Sequence, residues 1–182
     1  MEKKLWEHVL NVRQKSPLVL NITNFVVMNN TANALLTIGA SPIMSHAHSV
    51  VKEMIRISDA LVTNIGTIDE YFSESMKLAA STAQSLNKPW VLDPVGAGAT
   101  AFRDKVVSEL LNYSPTVIRE NASEIIALAK SNKTKTKGVD STAGSIEAFP
   151  VRQYHTVPVL SGVLSLHIPP VCPHVPWRHS SA

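Results

Sequence analysis

The sequence predicts an α/β protein: a mainly parallel central sheet with helices on both faces, three layers in all. Two observations carry this. Short apolar runs alternate with helix-like amphipathic stretches five times between residues 17 and 130, the rhythm of successive crossover units. The runs are also continuously apolar instead of alternating with polar residues, as strands covered on both faces require.

The elements follow in order. "MEKKLWEHVLNVRQK" places Leu5, Trp6, Val9 and Leu10 at helical spacing. "PLVLNI" (17–22) reads as a strand behind Pro17, and 25–38 as a helix closed by Gly39. "SPIM" (41–44) is a second strand, and 49–58 a helix with Val50, Val51, Met54, Ile55 and Ile57 on one broad face. "ALVTNI" (60–65) is a third strand. The long segment 69–86 gathers Phe72, Met76, Ala79, Ala80 and Ala83 on one side of a helix. "PWVL" (89–92) is a fourth strand, 101–112 a helix and "TVIR" (116–119) a fifth strand. A last helix, 121–130, has Asn121 at its N-cap.

Composition narrows the function classes. With 182 residues, 45% of them hydrophobic and 17% charged, the chain suits one soluble globular domain. The net charge is +3, and Lys and Arg are scattered apart from "NKTKTKG" at 132–138. One such loop is no nucleic-acid footprint, and 5% aromatics argue against base-stacking platforms. No apolar h-region follows the N-terminus and no run of eighteen apolar residues occurs, so neither a signal peptide nor a membrane span is expected. The single cysteine, Cys172, excludes an internal disulfide and fits a reducing cytoplasm.

In an open parallel sheet, ligands bind at the carboxyl ends of the strands. Those ends read "NITN" (21–24), Met44-Ser45-His46, "TNIGT" (63–67), "DPVGAGAT" (93–100) and "RENASE" (119–124). Turn chemistry explains any one of them. An acid, an arginine and a second acid together point further: Asp93 and Glu124 are oxygen donors for a hard cation, and Arg119 suits phosphate oxygens. The backbone N–H groups of the Gly96–Gly98 turn can approach an anion closely, because no Cβ intrudes. A magnesium-bearing nucleotide fits this set, although no G-x-x-x-x-G-K-[ST] loop occurs.

At the same residues the chain resembles the hydroxyethylthiazole kinases. The motifs are residues 21–47, "LVTNIGT" (61–67), "VLDPVGAGAT" with Arg103, "VIRENASEI" (117–125) and "KGVDST" (137–142). The resemblance implies a ribokinase-like fold and a role in thiamine salvage. ATP, with Mg²⁺, would phosphorylate the primary alcohol of 4-methyl-5-(2-hydroxyethyl)thiazole. It implies that Met44 contacts the thiazole through its main chain, and that Asn24, Asn64 and Gly66 shape the same pocket. Arg119 would pair with ATP phosphates, and Asp93 and Glu124 would act near Mg²⁺. A homotrimer is the implied assembly, and a hydroxymethylpyrimidine kinase of the same fold agrees less well with "SPIM" and "NASEI".

Two departures from the pattern stand out. Glu120 occupies a position that is glycine in the family; it would compete for Arg119, and would be strained if φ there were positive. The family's Gly-Thr-Gly-Cys motif, whose cysteine is catalytic, does not occur in the chain, so no catalytic residue is assigned. Residues 1–142 are therefore expected to form a partial kinase domain, incomplete at its C-terminal end. Residues 143–182, with six of the eleven prolines, are expected to form a divergent, disordered tail of the kind a frame error produces. Zinc at Cys172, His174 and His179 matches no standard spacing. An inactive fragment that binds thiazole or co-assembles with complete subunits is the alternative to an active enzyme.

Overall fold

The computed structural model describes residues 2–121, 123, 124 and 128, with side chains from Leu5 onward. The elements are α1 (Glu2–Lys15), β1 (Leu18–Ile22), α2 (Met28–Ile38), β2 (Ser41–Met44), α3 (Val51–Ile57) and β3 (Ala60–Asn64), then α4 (Glu70–Ser85), β4 (Trp90–Asp93), α5 (Ala101–Leu111) and β5 (Val117–Ile118). The five strands form one sheet in the order β2-β1-β3-β4-β5, and every pairing is parallel.

Strand order places the helices. The chain steps outward from β1 to β2, then returns past β1 to continue through β3, β4 and β5. Because crossovers are right-handed, that reversal puts α2 on one face and α3, α4 and α5 on the other. The second face holds the core. Leu20, Ile22, Leu61 and Leu92 of the sheet pack with Val51 and Ile55 of α3, Phe72, Met76, Ala79, Ala80 and Ala83 of α4, and Val106, Val107 and Leu110 of α5. The alanine stripe lets α4 lie close to the strands. Trp90 is fully buried, and its indole N–H donates to the Tyr113 carbonyl at 3.2 Å, as a buried tryptophan should. The α1/α2 layer is thin by comparison: α2 buries no residue completely, and Leu36 and Ile38 remain exposed.

Local chemistry adjusts the expected boundaries. The helix expected over 25–38 starts only at Met28, because Asn24 Oδ1 accepts the Val27 N–H at 3.0 Å and holds residues 25–27 in a turn. It ends as expected at Gly39, in the left-handed conformation with φ 94°. The 49–58 helix contracts to Val51–Ile57, and the fifth strand to Val117–Ile118. Ser123, Glu124 and Leu128 are helical, but the rest of the helix expected over 121–130 lies outside the described residues. So do the 143–182 tail and the Cys172, His174 and His179 group. Glu120 corrects one expectation. Among the described residues positive φ outside glycine is confined to Ser16, Asn87 and Ser114, so a side chain at 120 costs no backbone strain.

Burial decides which apolar substitutions matter. Leu61→Ala, at a fully buried position, is expected to lower unfolding free energy by about 2–5 kcal/mol, and Ile43→Ala on the half-buried edge strand by clearly less. Urea unfolding of both variants checks the order; equal losses would contradict the difference in burial between the central strand and the edge strand of the same face.

Candidate active site at the carboxyl rim

A fully parallel sheet brings all strand ends to one rim. Met44 closes β2, Asn24 follows β1, Asn64 closes β3, Asp93 closes β4 and Arg119 follows β5. The reversal of strand order falls between β1 and its neighbours β2 and β3, and such a point opens a crevice for ligand.

A continuous hydrogen-bonded relay crosses this rim. Asn24 Nδ2 donates to Asn64 Oδ1 at 2.7 Å, and Asn64 Nδ2 donates to Asp93 Oδ2 at 2.8 Å. Arg119 Nη1 meets the same Asp93 oxygen at 2.8 Å. Asn64 Oδ1 also accepts the Gly66 N–H at 2.9 Å. Asn24, Asn64 and Asp93 are buried, whereas the Arg119 side chain is 63% exposed. The guanidinium is therefore open to an arriving anion, and the carboxylate beneath it is enclosed and held by Asn64. Met44 sits half-buried on the edge strand in register with Asn21 and is not itself a member of the relay.

Glu124 reaches the rim differently. Its Oε1 accepts the Gly96 N–H at 2.8 Å and its Oε2 the Asn121 N–H at 2.9 Å. Asn121 Oδ1 in turn accepts the Glu124 N–H at 3.0 Å. This reciprocal pair is a capping box built on Asn, so Glu124 is both a first-turn acid and a rim residue. The Gly96–Gly98 turn corrects an expectation, for its donors are not open to an anion. Gly96 N–H is taken by Glu124, and Gly98 N–H by Asp104 Oδ1 at 2.7 Å. The turn anchors carboxylates of its own chain.

Both rim acids are held above the usual carboxylate range. Burial raises Asp93, against the opposing pull of the Arg119 charge and the Arg119 and Asn64 hydrogen bonds. Burial likewise raises Glu124, opposed by the Asn121 and Gly96 N–H groups, and the nearby Asp93 charge raises it further. The two acids are thus close enough to feel each other. Among the described residues no three His, Cys, Asp or Glu side chains gather as a metal site.

Sequence reasoning assigned no role to Arg103, Thr67 or Asp104. Arg103 Nη1 donates to the Ile65 and Val95 carbonyls at 2.7 and 2.8 Å, and Nη2 to the Gly66 carbonyl at 2.8 Å. Thr67 Oγ1 accepts the Phe25 N–H at 3.1 Å. The signal for Arg103 was its place in the first turn of α5, where a cation opposes the helix dipole and needs another reason to be there.

A parallel sheet with this reversal and a polar carboxyl rim defines a ribokinase-like α/β protein. The same fold occurs in the solved structure of hydroxyethylthiazole kinase protein from Pyrococcus horikoshii OT3. The two superpose with a TM-score of 0.69 at 53% identity, over 72% of this chain and 51% of that one. The chain belongs to the hydroxyethylthiazole kinase family, whose model matches residues 9–165. Its relatives include the hydroxyethylthiazole kinase of Leptospira biflexa, 58% identical over 138 residues, which are 75% of this chain and 51% of that protein. That of Brachyspira hyodysenteriae is 48% identical over 168 residues, 89% of this chain and 63% of the relative. The chain spans about half the length of the first of these.

Two outcomes test the rim. A Cβ on Gly66 would stand 2.7 Å from Asn24 Nδ2, so Gly66→Ala should push Asn24 off Asn64 and cost about 1–3 kcal/mol in chemical denaturation. An unchanged midpoint would show that Asn24 yields freely. For Asp93 the folded state binds its proton more tightly than the unfolded state. Its contribution to stability is therefore greatest below the unfolded pKa and is lost as pH rises through the folded one. Wild type should lose stability relative to Asp93→Asn as pH rises from about 4 to about 7; urea midpoints across that range read the sign.

Proposed function

We propose that the chain phosphorylates the primary alcohol of 4-methyl-5-(2-hydroxyethyl)thiazole at the expense of ATP. The observation that carries this is the Asn24–Asn64–Asp93–Arg119 relay at the crevice of a chain in this family. Asn24, Asn64, Gly66 and the Met44 main chain bind the thiazole. Arg119, exposed above Asp93, swings to the ATP phosphates.

Asp93 and Glu124 would hold a magnesium ion, directly or through water. Two buried carboxylates raised by desolvation gain most from a hard cation beside them, and oxygen donors suit it. When bound, Mg²⁺ neutralises charge on the transferring phosphate. The alcohol oxygen forms the new P–O bond. The bond to the β,γ-bridging oxygen breaks with its electrons leaving on ADP, and the hydroxyl proton is lost to solvent. The protein works in the cytoplasm; no helix among the described residues is long and apolar enough to cross a membrane. It assembles as a homotrimer, a reading supported by Phe25 and Val26, exposed beside the rim, and by Leu36 and Ile38, exposed at the far end of α2.

A coupled ADP-release assay with Mg-ATP tests the reaction. Turnover should depend on the thiazole alcohol, exceed that with the pyrimidine alcohol, and fall by roughly 10²-fold in Arg119→Ala and Asp93→Ala. Turnover indifferent to the thiazole would sink the proposal. The alternative reading is a thiazole-binding chain without turnover. Thermal stabilisation by the thiazole with no ADP release would select it.

A further inference from the structure

We propose that Arg103 is the positioning residue of the rim, orienting two peptide planes that aim their N–H groups at Asn64 and Glu124. The residue lies on α5, outside the relay, and none of its three side-chain hydrogen bonds goes to an acid. All three go to carbonyls in the loops after β3 and β4.

The argument is geometric. In a trans peptide the C=O and N–H point in opposite directions, and the described residues contain no cis bond. The Ile65 carbonyl and the Gly66 N–H belong to one peptide unit. Its oxygen is held by Arg103 Nη1 at 2.7 Å, and its N–H donates to Asn64 Oδ1 at 2.9 Å. The Val95 carbonyl and the Gly96 N–H form a second such unit. That oxygen is held by the same Nη1 at 2.8 Å, and that N–H donates to Glu124 Oε1 at 2.8 Å. One guanidinium nitrogen thus sets the orientation of both planes. Nη2 adds the Gly66 carbonyl at 2.8 Å and keeps the fork from rotating.

Gly96 suits the turn by its backbone conformation, since a Cβ there would meet the Arg103 stem only at an ordinary contact distance. It adopts φ 73° in a turn closed by Ala97 N–H on the Pro94 carbonyl at 3.0 Å, and its missing Cβ would lie 3.5 Å from Arg103 Cδ. The Arg103 stem therefore runs along the bare side of the turn. A lysine carries the charge but not the planar fork that grips several carbonyls at once.

The effect on turnover rests on the proposed kinase reading, but the effect on the loops does not. In the full chain carrying Arg103→Lys, the Gly66 and Gly96 amides should exchange hydrogen about tenfold faster or more, while the Leu61 amide inside β3 keeps its protection. In the ADP-release assay the same variant should lose kcat more than it changes KM for ATP. Wild-type exchange at Gly66 and Gly96 in a folded Arg103→Lys chain would overturn the proposal. So would a rise shared equally by Leu61, or loss of folding, since either makes Arg103 a general stabiliser. Absence of thiazole-dependent turnover in wild type would remove the kinase reading, and the exchange data would still decide the role of Arg103.

Discussion

The side-chain amide of Asn64 is the joint on which the rim turns. Its oxygen accepts from Asn24 and from the Gly66 backbone, and its nitrogen donates to Asp93. A carboxamide carries an acceptor and a donor on one planar, uncharged group. An aspartate in its place would set a second negative charge against Asp93, and a leucine would strand the Asn24 amide and the Asp93 carboxylate in a buried place. Because every partner of this group is buried or tied to backbone, its orientation passes directly to the first carboxylate of the site.

The electrostatics divide into two kinds of support. Asp93 is balanced by a charge, the exposed Arg119 guanidinium, with help from a neutral amide. Glu124 is balanced mainly by backbone N–H groups, at Asn121 and Gly96, with a smaller contribution from the Arg119 charge. A charge partner at the surface can be exchanged for an incoming ion, while a backbone donor cannot leave. This asymmetry suits a site that must admit a charged ligand on one side and keep its frame on the other. Arg103 belongs to the frame. Its side-chain partners are carbonyl oxygens, so it pairs with neither acid.

The two faces of the sheet follow the same logic. The face under α3, α4 and α5 contains the continuous core and resists change. The face under α1 and α2 is thin, with apolar side chains left open. The rim therefore rests on a rigid floor at β3 and β4 and borders a less covered layer at β1 and β2. That places Asn64 and Asp93 in buried surroundings, and Met44 and Phe25 beside the more open layer.

The strand and helix rhythm, the parallel sheet and the rim position of Asn24, Met44, Asn64, Asp93 and Arg119 were all legible in residues 17–119, because apolar periodicity and turn residues are local properties. The Glu124 capping box was legible too, since its partners lie three residues apart. Pairings across tens of residues were not. Asn24 and Asn64 are forty positions apart, and Arg103 and Ile65 thirty-eight, and nothing local distinguishes a site asparagine from a turn asparagine. Only the stacking of parallel strands, which turns distant chain positions into neighbours one strand spacing apart, decided that the glycine turn holds carboxylates and that an arginine on a helix orients the loops of two strands.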